Sequence, residues 1–274
     1  MQLFVAEVAS FQFEKWSFLH SVFFAVCSGL GSKALETSVF WADATWCGGR
    51  PFRFGRISAG GKVRQDDELP WIDMVYGGMN KFVIAPIYLC AMAQHIQQNQ
   101  FDYSLTLLTP VWALAQLLAA FFIYDLMYAP LHRLAHVRCL YAWIHKHHHR
   151  QLVPYRGTYD AVNEHPVELF VGAHIHIVAL QGLQAVLGTL GSLLLGSAWQ
   201  IHILALGAFL VASPLLGSLN HTRFDVSIPN VFAVRDHDTH HRVFTTNYGQ
   251  YTMWVDRLMG TYQQYSNASA SKSA

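Results

Sequence analysis

Charge is what this sequence has least of. Asp, Glu, Lys and Arg make up 13% of its 274 residues, against ~25% in an ordinary soluble domain. Apolar residues are 53% of the chain. That balance leaves too little polar surface for a monomer in water. The net charge is +1, so no nucleic-acid partner is expected. Cysteine is also sparse. Cys27, Cys47, Cys90 and Cys139 lie far apart with no CxxC spacing, which excludes a disulfide scaffold and a cysteine zinc site. No HExxH occurs, so a zincin is excluded. No paired ExxH occurs, so the chain is not a soluble carboxylate-bridged di-iron bundle. From Val167 to Leu219 there is no Lys or Arg at all.

What is present is a series of apolar runs. Trp16 to Gly31 is short of the ~20 residues a span needs; it reads either as a tilted span or as an interfacial helix. Residues 42–70 are Gly-rich and carry Arg50, Arg53, Arg56, Lys62 and Arg64, the pattern of a solvated loop. Ile72 to Ala93 is expected to span, with Lys81 snorkelling or facing protein. Leu107 to Tyr128 is the cleanest span. Its Phe121–Tyr128 stretch reads as a lipid-facing aromatic belt or as the lining of a substrate path. Val167–Leu180 and Leu190–Leu215 read as a hairpin turning near Gly182–Gly191. Its first arm, with His174 and His176, is short enough to be re-entrant. Basic residues flank the histidine-rich segments (Arg133, Arg138, Lys146, Arg150 and Arg156, then Arg223, Arg235, Arg242 and Arg257). By the positive-inside rule those segments face the cytosol. The expected fold is all-α and integral to a membrane: about four transmembrane helices, as two hairpins, under a cytosolic histidine-rich helical cap. The expected division is an N-terminal membrane region at 1–104, a catalytic region at 105–262 and a disordered tail at 263–274.

Six of the 16 histidines fall in the 18 residues from His132 to His149. Three boxes stand out: His132-x-x-x-His136, His145-x-x-His148-His149 and His237-x-x-His240-His241. On a helix, i and i+4 share a face, which suits two ligands for one ion. In each HxxHH the first and fourth residues are expected to share a face, with the fifth within reach. Eight imidazoles exceed what one four-coordinate ion uses and suit two ions. Imidazole donors fit Zn, Cu, Ni or Fe. His20, His95, His174, His176 and His202 stand alone and read as structural histidines. A basic surface patch would not need the repeated spacing. The residues alone thus imply a polyhistidine, dinuclear site at a membrane surface.

The boxes HRLAH, HKHHH and HDTHH, separated by a hydrophobic hairpin, resemble those of the fatty acid hydroxylase / sterol desaturase superfamily of integral-membrane di-iron oxygenases. LYAWIHKHHH, NEHPVE, NYGQY and WVDRLMGTY strengthen the resemblance, which covers roughly 105–262. It implies metal ligation by His132, His136, His145, His148, His149, His237, His240 and His241, joined by His165 and His221. His147 is expected outside the ligand set. Asp125, Asp160, Glu164, Asp236 and Asp238 are the carboxylates expected to orient those imidazoles. The resemblance further implies two Fe2+ ions and O2 as co-substrate. The reaction would be hydroxylation or desaturation of a lipid, fatty-acyl or sterol-type substrate drawn from the bilayer. No HPGG-type haem motif occurs, so the electrons are expected from an external donor such as cytochrome b5 and its reductase. An endoplasmic reticulum location follows from the same resemblance. The chain reads NHTRFDV where sterol-acting members often read HSGxD, so a sterol substrate is not implied. A membrane metal transporter is disfavoured because the boxes lie outside the spans. A catalytically inactive lipid-binding member is disfavoured because all eight box histidines are present.

Overall fold

The computed structural model describes residues 16–46, 57 and 71–266. Most of the 42–70 loop and of the 263–274 tail lies outside the described residues. Four helices are long and apolar enough to cross a membrane. They are α1 (Phe18–Trp46, apolar over Phe18–Ala42), α4 (Thr109–Ala135), α7 (Pro166–Leu195) and α8 (Ile203–Asn220). From Phe18 on, the Trp16–Gly31 run is therefore the first half of one long helix.

The other expected span, Ile72–Ala93, is helical but interrupted. Helix α2 (Trp71–Met79) passes through a π turn (Asn80–Ile84) into α3 (Ala85–Gln98). Pro86 sits in the first turn of α3. Proline has no N–H to give to the preceding turn, and a π turn absorbs that break. The turn also aims Asn80 inward: its side-chain amide donates to the carbonyls of Val162 and Glu164, each at 2.9 Å.

The C-terminal hairpin is corrected too. Val167–Leu180 is not a short re-entrant arm, and the chain does not turn at Gly182–Gly191. Helix α7 runs unbroken through those glycines to Leu195. It starts at Pro166, whose missing N–H costs nothing at a helix start. It ends at Gly196, which takes the left-handed conformation (φ 70°) that closes a helix. The turn is 196–202, and α8 begins one residue after His202.

Helices α4, α7 and α8 pack around Phe121, Tyr124, Ile175, Leu180, Leu183 and Phe209. Phe121 and Tyr124 are thus buried between helices, not in a lipid-facing belt. Helix α1 packs on α3 and α8. The outward faces of the spans carry exposed apolar residues such as Leu114, Leu126, Val178 and Leu193, the surface a bilayer covers. At one end, the α3–α4 connector meets the α7–α8 turn, with Asp102 N–H donating to the Ile201 carbonyl at 2.9 Å. At the other end, the short elements gather. They are α5 (Arg138–Leu140), a π turn (Tyr141–His145), a 3-10 turn (His148–Arg150), α6 (Thr158–Ala161), the antiparallel pair β1 (Ser227–Ile228) and β2 (Phe232–Ala233), α9 (Val234–Val243) and α10 (Trp254–Met259). All three histidine boxes lie at this end.

Candidate metal centre

Nine of the ten expected histidine ligands come together, in two groups. His132, His136, His145, His149 and His240 form the first; His148, His221, His237 and His241 form the second. Within each group one ring nitrogen per residue lies within 4.8 Å of all the others. The groups abut: the rings of His149 and His241 are 4.8 Å apart. His165 is not brought to either group. Its ring accepts from the Val167 N–H and caps α7, and it packs edge-on against Tyr76.

The boxes divide in a way their spacing does not announce. The first and fourth residues of each HxxHH, expected to share a face with the fifth within reach, go to different groups, and the first pairs with the fifth. The second box sends its first and fifth residues, His145 and His149, to the first group and its fourth, His148, to the second. The third box does the reverse, with His237 and His241 in the second group and His240 in the first. In both boxes the residues at i and i+4 cooperate, and the one at i+3 crosses over. The third box sits on α9. The second sits on a π turn followed by a 3-10 turn, so ideal helical faces do not apply to it.

Hydrogen bonds at Nδ1 set the tautomers. The Nδ1 atoms of His132 and His240 meet the carbonyls of Tyr248 and Thr246, each at 2.8 Å. Those of His221 and His241 meet the carbonyls of Gly217 at 2.8 Å and Gln151 at 3.0 Å. A carbonyl only accepts, so each Nδ1 carries the proton and each Nε2 carries a bare lone pair. Each of these four Nε2 atoms points toward the Nε2 of other rings in its group. In the first group the Nε2–Nε2 separations are 2.9 Å (His132–His145), 2.8 Å (His145–His149), 3.1 Å (His149–His240) and 3.3 Å (His136–His240). In the second they are 3.1 Å (His237–His241), 3.2 Å (His221–His237) and 3.2 Å (His148–His221). So many buried, neutral ring nitrogens converging at these distances suit a cation standing among them. The donor set therefore fits metal ions. Burial, aided by the neighbouring imidazoles, holds His145, His148, His149, His237, His240 and His241 well below the ordinary histidine range. Burial pushes His136 down to about 3. Neutral imidazole is the form that binds metal.

None of the five expected carboxylates touches a ligand ring by a hydrogen bond among the described residues. Asp125 is fully buried and accepts from the backbone N–H groups of Gln250, Tyr251 and Thr252 at 2.8, 3.2 and 2.6 Å. It thereby holds the loop whose Tyr248 carbonyl orients His132. Asp160 accepts from the N–H groups of Tyr155 and Arg156 and from the Arg156 side chain. Burial pushes the Glu164 carboxyl up to about 8, beside Glu168. Asp236 lies near Arg257 and Tyr262, pushed up by burial to about 6. Asp238 receives Arg242 at 2.7 Å and also Arg223. Among the described residues, the carboxylate that does reach a ring of these groups is Glu168, whose Oε1 meets His145 Nδ1. Its signal was present in NEHPVE, where it stands three residues after His165. His147 turns away, to the Asn163 side-chain oxygen at 2.9 Å and Asp73 at 3.1 Å.

The C-terminal motifs build the frame for these rings. Asp256 of α10 accepts from the N–H groups of Tyr248 and Gly249 at 2.8 and 2.7 Å. Asn247 takes a left-handed conformation (φ 57°). Its side chain exchanges hydrogen bonds with the Gln263 backbone at 2.8 and 2.7 Å.

A family model described as fatty acid hydroxylase matches residues 117–261. Methylsterol monooxygenase 1 of Rattus norvegicus is 32% identical over 168 residues, covering 57% of this chain and 50% of that protein. Sphinganine C4-monooxygenase 1 of Arabidopsis thaliana is 31% identical, over 55% of each chain. A Delta(7)-sterol 5(6)-desaturase of Aspergillus fumigatus is 26% identical, over 48% of this chain and 43% of that protein. The chain spans about half the length of these relatives. No solved structure matches it.

Proposed function

The chain belongs to the fatty acid hydroxylase family, and within that family we propose that it is a membrane-bound di-iron oxygenase of lipids. It hydroxylates or desaturates a C–H bond of a fatty-acyl, sterol-type or related lipid, with O2 and external electrons. The observation that carries this reading is the pair of abutting, buried imidazole groups with converging ring nitrogens. His132, His136, His145, His149 and His240 would hold one iron; His148, His221, His237 and His241 would hold the other. Iron so held supplies O2 activation, which an unactivated C–H bond requires.

The residues of the chain do the rest. Backbone carbonyls at Tyr248, Thr246, Gly217 and Gln151 fix ring orientation and tautomer. Burial excludes water and keeps the imidazoles neutral. His136 is the one ligand not fully buried, and Tyr141 and Phe244 stand beside it, their rings 5.5 and 6.5 Å from its own. The substrate approaches from that side. Because the site lies at the ends of α4, α7 and α8, a lipid reaches it without leaving the bilayer.

The relatives' names cover hydroxylation of sphinganine, monooxygenation of methylsterols and sterol desaturation. Both hydroxylated and desaturated products therefore belong to the proposal. The flanking basic residues support a proposed orientation in which the histidine end faces the cytosol from the endoplasmic reticulum membrane, with a donor such as cytochrome b5 and its reductase delivering electrons there. The test is lipid profiling of cells with and without the chain. A hydroxylated or desaturated lipid should appear and should vanish with His240→Ala. A lipid profile identical in all three strains would contradict the proposal.

A further inference from the structure

We propose that Glu36, on α1, is a positioning residue for His221 and, through it, for the second metal group. The proposal rests on the two-group metal reading above. Glu36 lies well outside the residues 117–261 matched by the family, within a helix apolar enough to span. It is 3% exposed. A carboxylate in such a place is costly unless both oxygens are held.

Both are held, and by residues that bracket His221. Glu36 Oε1 accepts from the Thr158 N–H at 2.9 Å and from the Ser218 hydroxyl. Its Oε2 accepts from the Thr158 hydroxyl at 2.7 Å and from the Lys33 ammonium. Ser218 is in the last turn of α8, and its carbonyl accepts from the His221 N–H at 2.9 Å. Gly157, just before Thr158, donates its N–H to the His221 carbonyl at 3.0 Å. Glu36 thus ties together the two segments that hold the His221 backbone, one at its N–H and one at its carbonyl. Residue 157 has to be glycine for the grip to close. A Cβ there would stand 2.6 Å from Glu36 Oε1 and 2.8 Å from Ser218 Oγ, at a φ of +64°.

A second contact from the same N-terminal region reinforces the first. The Ile57 N–H donates to the Arg223 carbonyl at 3.0 Å, and the Arg223 guanidinium donates to the Ile57 carbonyl at 2.9 Å. Arg223 also reaches Asp238, between His237 and His240 on α9. Phe40 of α1 packs edge-on against Phe224, with centroids 5.2 Å apart. The contacts that orient the first group (Tyr248, Thr246 and Glu168) all come from within 117–261. Among the described residues, it is the second group that leans on α1.

The test uses the full chain in detergent, as Glu36→Ala and Glu36→Gln. Histidine C2–H exchange, read by mass spectrometry on metal-free protein, should speed severalfold at His221 in Glu36→Ala. Exchange at His132 and His240 should stay at the parent rate. After anaerobic loading with Fe2+, the metal content of Glu36→Ala should fall from about two to about one per chain, while Glu36→Gln, which keeps one acceptor and the shape, recovers part of the loss. Unchanged exchange at His221, or an equal rise in both groups, would overturn the proposal. A parent chain that holds fewer than two metals would sink the metal reading instead, and the metal-free exchange would still judge Glu36.

Discussion

Glu168 separates what a motif announces from what geometry assigns. Among the described residues it is the one carboxylate that meets a ring of either metal group, at His145 Nδ1. Outer partners of this kind typically support metal affinity by about 10–100-fold. Glu168→Gln should therefore loosen metal by about tenfold or more, measured by competition with a chromophoric chelator. An unchanged affinity would leave His145 oriented by packing alone. The nine clustered histidines were legible as candidates in the sequence because their spacings are local and their side chains are distinctive. Their orienting partners were not. Four are backbone carbonyls, at Tyr248, Thr246, Gly217 and Gln151, and a carbonyl has no side-chain signature. His165 fits the motif as well as His221 does, but it is spent on capping α7. The crossing of His148 and His240 between groups was hidden for a related reason. It depends on where the π turn and the 3-10 turn aim the second box, and neither turn is visible in the spacing.

At the scale of elements, Asp125 is the carboxylate of α4 that holds the loop 246–252. Asp125 accepts from three backbone N–H groups and from the Thr252 hydroxyl at 2.9 Å. Asp125→Ala would leave these donors buried without partners, at about 1–3 kcal/mol for each. The apparent Tm in detergent should fall well below that of the parent. Metal should also leave the first group more readily, because the Tyr248 carbonyl would no longer hold His132. A variant with parent stability and metal affinity would contradict this role. Asp125 was picked out by sequence because a charge near a span exit, two turns before His132, is unusual. Sequence did not show that it acts through a loop 125 residues further on. Pro166 and Gly196 mark the true ends of α7, but the sequence reading did not use Gly196 as a stop and ran its second arm, Leu190–Leu215, through it. The hairpin turn was misplaced because Gly182, Gly188 and Gly191 look like turn residues, yet all three lie inside α7. The reading of Ile72–Ala93 as one plain span missed the π turn, whose cause is the proline in the first turn of α3.

For the whole molecule, the account requires every metal ligand at one end of the spans and the 99–108 and 196–202 connectors at the other. Cysteines placed at Lys146 and Arg235 should react with an impermeant maleimide from one side of sealed microsomes, and a cysteine at Ser104 from the opposite side. The background would lack Cys27, Cys47, Cys90 and Cys139. By the basic residues, Lys146 and Arg235 should label from the cytosolic side. Labelling of all three from one side would break the topology. The central claim is the paired metal centre itself. Its most direct test is metal content after anaerobic purification with iron, beside activity on the lipid that profiling identifies. The account predicts about two irons per chain, with content and activity both reduced in His148→Ala, which empties part of the second group, and in His240→Ala, which empties part of the first. Full activity in a chain stripped of iron would contradict it.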